Sequence, residues 1–148
     1  MSNHSIEKYK KERYDDQLKW YTNQASNNKK KYYILQVIII VLSSVVTLSV
    51  ATGMHFEEMV IWNFTSLFVS ALVVLFTSLQ KIFRFHENWV EYRSTEEQMK
   101  KERSFFEFKC GDYSDSQFPD QLFIERIESL LSKQNTSWTK YTVKRPKQ

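Results

Sequence analysis

Few residues in this chain are equipped for catalysis, and those few are not spaced to act together. His4, His55, His86 and the single cysteine, Cys110, are scattered along the sequence with none of the short His/Cys spacings that mark a metal site. One cysteine excludes an intrachain disulfide. Two glycines in the whole chain, Gly53 and Gly111, exclude a glycine-rich phosphate loop. His86 stands three positions before Trp89 and reads as an interfacial residue rather than a base. Cys110 has no histidine near it in sequence and reads as a buried or half-buried thiol at a helix end. The carboxylates lie among lysines, as on solvated faces. The expectation is a protein that is not an enzyme and takes no cofactor and no metal.

The spacing that carries meaning belongs to uncharged polar residues. Asn63, Ser66, Ser70, Thr77 and Gln80 follow steps of 3, 4, 7 and 3, and Gln36, Ser43 and Thr47 follow steps of 7 and 4. Each set falls on one face of a helix. Such a face either packs against another helix, where small and hydroxyl residues allow close approach and hydrogen bonding, or lines a water-filled lumen. The spacing leaves both open. A two-helix hairpin cannot shield polar faces on both helices and still bury every apolar contact, which points to a ring of hairpins as an alternative to a simple dimer.

The elements that must position these residues are two apolar runs. No charged residue occurs from Ile34 to Thr52 or from Met59 to Gln80. Each run is close to the roughly 20 residues that a helix needs to cross a bilayer core. The predicted fold is an all-α membrane protein: a two-transmembrane helical hairpin with spans at 33–52 and 59–81, joined by an outside turn at 53–58. Its long helices extend into the cytoplasm as an antiparallel, coiled-coil-like pair, followed by a short C-terminal amphipathic helix. At 148 residues the chain leaves no room for a separate enzyme domain beside the membrane part. The negative mean hydropathy, −0.49, averages two apolar blocks with long polar arms. The first run starts too deep for an ordinary signal peptide and lacks a small-residue cleavage pattern, so the expectation is that it is retained.

Orientation follows from the basic residues. Lys29, Lys30 and Lys31 precede the first span, Lys81 and Arg84 follow the second, and the connecting turn carries only Glu57 and Glu58. The positive-inside rule places both termini in the cytoplasm, in a multi-pass inner-membrane protein. The net charge of +4 suits arms lying near an anionic leaflet. The basic residues are interleaved with Glu7, Glu12, Asp15 and Asp16, which argues against a nucleic-acid surface and for membrane lipid as the partner.

The arms carry helical seams. Tyr14, Leu18, Tyr21, Ala25, Asn28 and Tyr32 alternate steps of 4 and 3, as do Phe85, Trp89, Tyr92, Glu96, Met99, Arg103 and Phe106. That is heptad spacing, with aromatics where a strong coiled coil carries Leu and Ile. The first arm is predicted as helix over 5–32 and the second over 82–110, the latter running on from the second span without a break until Gly111. Glu96 and Arg103 are expected to be either partly exposed or paired with a neighbouring helix. From 117 onward come the amphipathic helix, with Phe123, Ile127, Leu130 and Leu131 on its apolar face, and a basic tail from Lys140. Trp138 and Tyr141 are candidate lipid anchors.

The second arm also carries a recognisable pattern. Phe85-His86-Glu87-Asn88-Trp89-Val90-Glu91-Tyr92-Arg93-Ser94-Thr95, followed by Glu102 and Gly111-Asp112-Tyr113, resembles the bacterial SLATT families, two-transmembrane domains associated with nucleotide-second-messenger conflict systems. Arg13-Tyr14 and Trp20-Tyr21 before the basic run look similar too, and the resemblance covers roughly residues 6–115. It implies a membrane effector that oligomerises and permeabilises the inner membrane when an infection-sensing partner triggers it. Tyr14, Trp89, Tyr92, Arg93, Glu102 and Tyr113 match pattern positions and are read as structural and interface residues. Unlike many relatives, this chain has no recognisable sensor or nuclease domain, so the resemblance implies a cytoplasmic sensor protein as partner. The alternative is a non-conducting membrane anchor or adaptor that recruits a cytoplasmic partner.

Overall fold

The computed structural model describes the backbone of residues 3–53 and 60–143, and the side chains of 5–51 and 64–133. Five α-helices account for nearly all of it: α1 (Asn3–Tyr9), α2 (Asp15–Gly53), α3 (Val60–Phe83), α4 (Phe85–Glu107) and α5 (Pro119–Val143). No strand occurs among the described residues. The predicted outside turn and Glu57 and Glu58 lie largely outside them, as does the end of the basic tail.

The near-absence of glycine and proline explains the length of the helices, and the interruptions have causes of their own. Between α1 and α2, Lys10–Tyr14 forms a single π-helical turn, closed by the Asp15 backbone N–H donating to the Lys10 carbonyl. The extra residue shifts the phase of the helix entering α2. The second arm departs from the predicted unbroken helix. Arg84, with φ of 50°, separates α3 from α4 in the left-handed region, which costs a non-glycine residue about 1–2 kcal/mol. Two backbone bonds bridge the break, from Arg84 N–H to the Gln80 carbonyl at 3.1 Å and from Asn88 N–H to the Arg84 carbonyl at 3.0 Å. The Asn88 amide covers the Phe83 carbonyl at 3.2 Å, and the Phe83 and Phe85 rings stack at 5.3 Å.

α4 also ends earlier than glycine placement predicts. Lys109, at φ of 51°, donates to the Phe106 carbonyl at 3.3 Å, and Cys110 N–H donates to the Phe105 carbonyl at 2.9 Å. This pair of bonds is a Schellman cap with lysine at the position usually held by glycine. Gly111 instead opens a 3₁₀ turn, Gly111–Tyr113. Cys110 is exposed rather than buried, because the cap turns the chain away from the helix at that point. α5 starts where Leu122 N–H bonds to the Phe118 carbonyl, which places Pro119 in the first turn, where its missing N–H costs nothing. It runs 25 residues, well past Gln134, where the apolar periodicity fades.

Two helices are long and apolar enough to cross a membrane. A core helix of a soluble protein passes the same length test, but most of it is buried. Here 6% of the most apolar stretch of the first helix is buried inside the chain, and 0% of the second.

The chain divides into two compact units, one built from Met1–Ala25 and Val90–Gln148, the other from Ser26–Trp89. The first has a real core. Tyr14, Met99, Phe123 and Ile127 are fully enclosed, joined by Ile6, Tyr21, Ala25, Tyr92, Tyr113 and Leu131. Phe123 of α5 is the hub: its ring lies 4.7 Å from Phe106, 5.6 Å from Tyr14 and 6.5 Å from Tyr9. Aromatic clusters at these spacings gain about 0.5–1.5 kcal/mol per pair beyond area burial.

The second unit has no such core. Among its described side chains only Ser49 is buried, and Phe64, Leu67, Phe68, Ile34 and Leu48 are all at least 60% exposed. α2 runs antiparallel to α3 and the start of α4 within it: Gln36 meets Gln80 of α3 while Tyr32, a turn earlier, meets His86 of α4.

Candidate functional site

The polar faces of the two apolar runs meet at one point. Gln80 Nε2 donates to Gln36 Oε1 at 3.2 Å, so one amide from each predicted stripe is engaged with the other. The hydroxyls are satisfied locally. Ser43 donates to the Ile39 carbonyl at 2.7 Å, Thr47 to Ser43 at 3.0 Å, Ser70 to Ser66 at 2.7 Å and Thr77 to Val73 at 2.7 Å. This back-bonding lowers the cost of a hydroxyl in an apolar setting. Ser43, Ser66, Ser70 and Thr77 are half-buried and Thr47 is exposed. The side chain of Asn63 lies outside the described residues.

Trp89 sits in the same unit, in a group of rings that ties α2 to α4. Its ring is 6.1 Å from Tyr33 and 5.7 Å from His86, and His86 is 5.0 Å from Tyr32. Lys29 Nζ lies 5.5 Å from the Trp89 ring centroid, and Lys31 Nζ 5.7 Å from that of Phe85.

The other family-pattern residues belong to the first unit. Tyr14 donates to the Met99 carbonyl at 3.0 Å, and its burial pushes the hydroxyl up to about 12. The Arg103 guanidinium lies 5.4 Å from the Tyr14 ring centroid. Tyr92 is buried against Trp20, at 5.5 Å, and Tyr21, at 6.1 Å. Arg93 reaches Glu96 at 2.9 Å and Glu97 at 2.7 Å. Tyr113 donates to Glu102 at 2.8 Å, and burial followed by that bond raises its pKa. These residues are therefore distributed over several contacts rather than gathered into one site.

Both seam charges are paired. Glu96 is 1% exposed, with Lys100 at 2.6 Å and Arg93 at 2.9 Å. Burial alone would raise its pKa, but hydrogen bonds from Lys100, Thr22 and Arg93 outweigh it and hold the carboxyl below the usual range. Arg103 reaches Asp15 at 3.0 Å and Glu107 at 2.8 Å.

Of the residues that hold α5, Tyr9, Arg126 and Glu128 are absent from the sequence reading, whereas Arg13, Glu102 and Asp112 appear there only within the resemblance. Glu128 accepts from Tyr9 at 2.9 Å and from Arg13 at 3.1 and 3.2 Å, and the Arg13 bonds keep its carboxyl low. Arg126 bridges Glu102, at 3.4 Å, and Asp112, and lies 5.3 Å from the Tyr113 ring centroid. The available signal was the spacing of Tyr9 and Arg13, four residues apart and so on one helix face; nothing local in the sequence names their acceptor. Between α2 and α5, Arg13, Gln17, Trp20, Tyr21 and Leu131 line an open cleft of about 290 Å³. Among the described residues no group of three His, Cys, Asp or Glu side chains could hold a metal ion.

A family model described as "Protein of unknown function (DUF4231)" matches residues 16–121. No curated protein and no solved structure matches the chain. The match covers most of the sequence and all of α3 and α4, and the chain belongs to the DUF4231 family.

Proposed function

We propose that this DUF4231 member is a bacterial inner-membrane effector of a conflict or antiphage response, whose hairpins oligomerise and open a pore. Both termini lie in the cytoplasm, where the arms form a coiled-coil-like antiparallel pair with α5 folded onto it and a sensor protein supplies the trigger. The observation that carries this reading is the nearly unburied state of both apolar stretches, 6% and 0%. Such helices take their lateral packing from lipid or from copies of themselves, and polar side chains favour copies. The hydroxyls also suit a lumen. With each O–H donated to its own helix, Ser70 and Thr77 offer only oxygen lone pairs outward, so the pore favours cations over anions. Induced expression with a voltage-sensitive dye tests it: depolarisation precedes growth arrest, and Ser70→Leu with Thr77→Val abolishes both. Unchanged depolarisation in that double variant removes the stripe from the lumen.

A non-conducting adaptor is the second reading, favoured by the well-packed core around Phe123 and the ion pairs holding α5. Toxicity from the spans alone, 26–89, argues against it.

A further inference from the structure

Two lysines at the start of the first apolar run are seated on rings of α4. The ion pairs that tie the first unit together join its own side chains, and none of them involves Lys29, Lys30, Lys31 or Lys81. Lys29 and Lys31 are instead set against the faces of Trp89 and Phe85. A ring face occupies one side of an ammonium group that carries three N–H donors, so each lysine keeps donors for an anion. The interlocked rings of Tyr32, Tyr33, His86 and Trp89 fix where those donors stand. Close by in sequence are exposed apolar side chains, Ile34 at 60%, Ile82 at 71% and Phe83 at 53%, the last stacked on Phe85. Positive charge and bare hydrocarbon side by side call for one ligand with both characters. Tyr and Trp at this position match the interfacial belt of a membrane protein.

We propose that Lys29 on the Trp89 ring and Lys31 on the Phe85 ring each bind the headgroup phosphate of an anionic phospholipid at the membrane boundary, with acyl chains lying along Ile34, Ile82 and Phe83. The site rests on the membrane-spanning part of the proposed function and not on conduction. The test uses the full chain in non-ionic detergent with equimolar phosphatidylglycerol and phosphatidylcholine, reading retained lipid by native mass spectrometry. Phosphatidylglycerol is retained in excess. Lys29→Gln and Lys31→Gln each lower that excess about twofold and the double variant abolishes it, whereas Lys29→Arg with Lys31→Arg retains it. Lys19→Gln with Lys133→Gln, exposed positions of the first unit, leaves it unchanged. Circular dichroism of each variant establishes that helix content is intact. Equal retention of the two lipids overturns the site, as does an excess that survives the glutamine double variant or falls equally in the control pair. Displacement of the lipid by millimolar inorganic phosphate overturns the lipid assignment in favour of a free anion. Because retention needs no current, a chain that never conducts and still selects phosphatidylglycerol fails the pore reading alone.

Discussion

The two units of this chain use opposite ways of staying folded. The first buries aromatic and aliphatic side chains around Phe123 and Tyr14 and encloses a paired carboxylate, Glu96, that is 1% exposed. The second leaves its largest apolar side chains bare, closes its hydroxyls onto its own backbone and leaves Lys29, Lys30, Lys31 and Lys81 outside any ion pair among the described residues. One unit supplies its own solvent-excluding interior. The other leaves its apolar side chains uncovered within the chain. What covers the second unit is therefore the first question to ask of function.

Substitutions sharpen the contrast. Phe123→Ala is expected to cost the first unit about 3–5 kcal/mol, as large-to-small changes in a packed core do, whereas Leu67→Ala, at 70% exposure, stays within about 0.5 kcal/mol. Thermal melts in detergent, followed by circular dichroism, compare them; equal losses would erase the distinction between the units. Glu96→Gln comes next, at about 2 kcal/mol, since it weakens charge-assisted bonds to a buried acceptor. Its pH dependence has a definite sign. Glu96 and Glu128 both have folded pKa values below the ordinary carboxylate value. What they contribute is therefore fully present above about pH 4.5 and is lost as pH falls through the lowered values. A Glu96→Gln/Glu128→Gln variant should show a flatter acid limb in a series of melts from neutral to acid pH. Tyr14→Phe removes the bond to the Met99 carbonyl and costs about 1 kcal/mol. The smallest effect is a gain: Lys109→Gly places the usual residue in the left-handed cap and should add about 0.5–1 kcal/mol, read as a raised midpoint in the same melts.

Much of this contrast is visible in the amino-acid pattern, though not all of it. The uncharged runs announce apolar helices without any structure, because transfer energy depends on composition alone. The 4–3 spacing picks out Tyr14, Tyr21, Ala25, Tyr92, Glu96 and Met99, all of which are buried. It does not distinguish Leu18 or Asn28, which are only half-buried, since spacing gives a face but not how deeply a partner covers it. The break at Arg84 is invisible because arginine is a good helix former. Gly111 is a misleading stop signal, since Lys109 takes the cap two residues earlier. The α5 pairs join Glu128 to Tyr9 and Arg13 across most of the chain, and a local pattern cannot name partners at that separation. The stripe residues were legible as one face of a helix. That Gln36 and Gln80 bond to each other depends on the register between two helices, which the short polar stripes do not specify.

The central claim is that the second unit completes itself with copies of its own spans. Counting subunits directly tests it: single-molecule photobleaching of the fluorescently tagged full chain in lipid bilayers at low protein density. Assemblies of more than two subunits are expected, reduced by Ser70→Leu with Thr77→Val. Single subunits or dimers throughout, from protein that is folded and inserted, would contradict it.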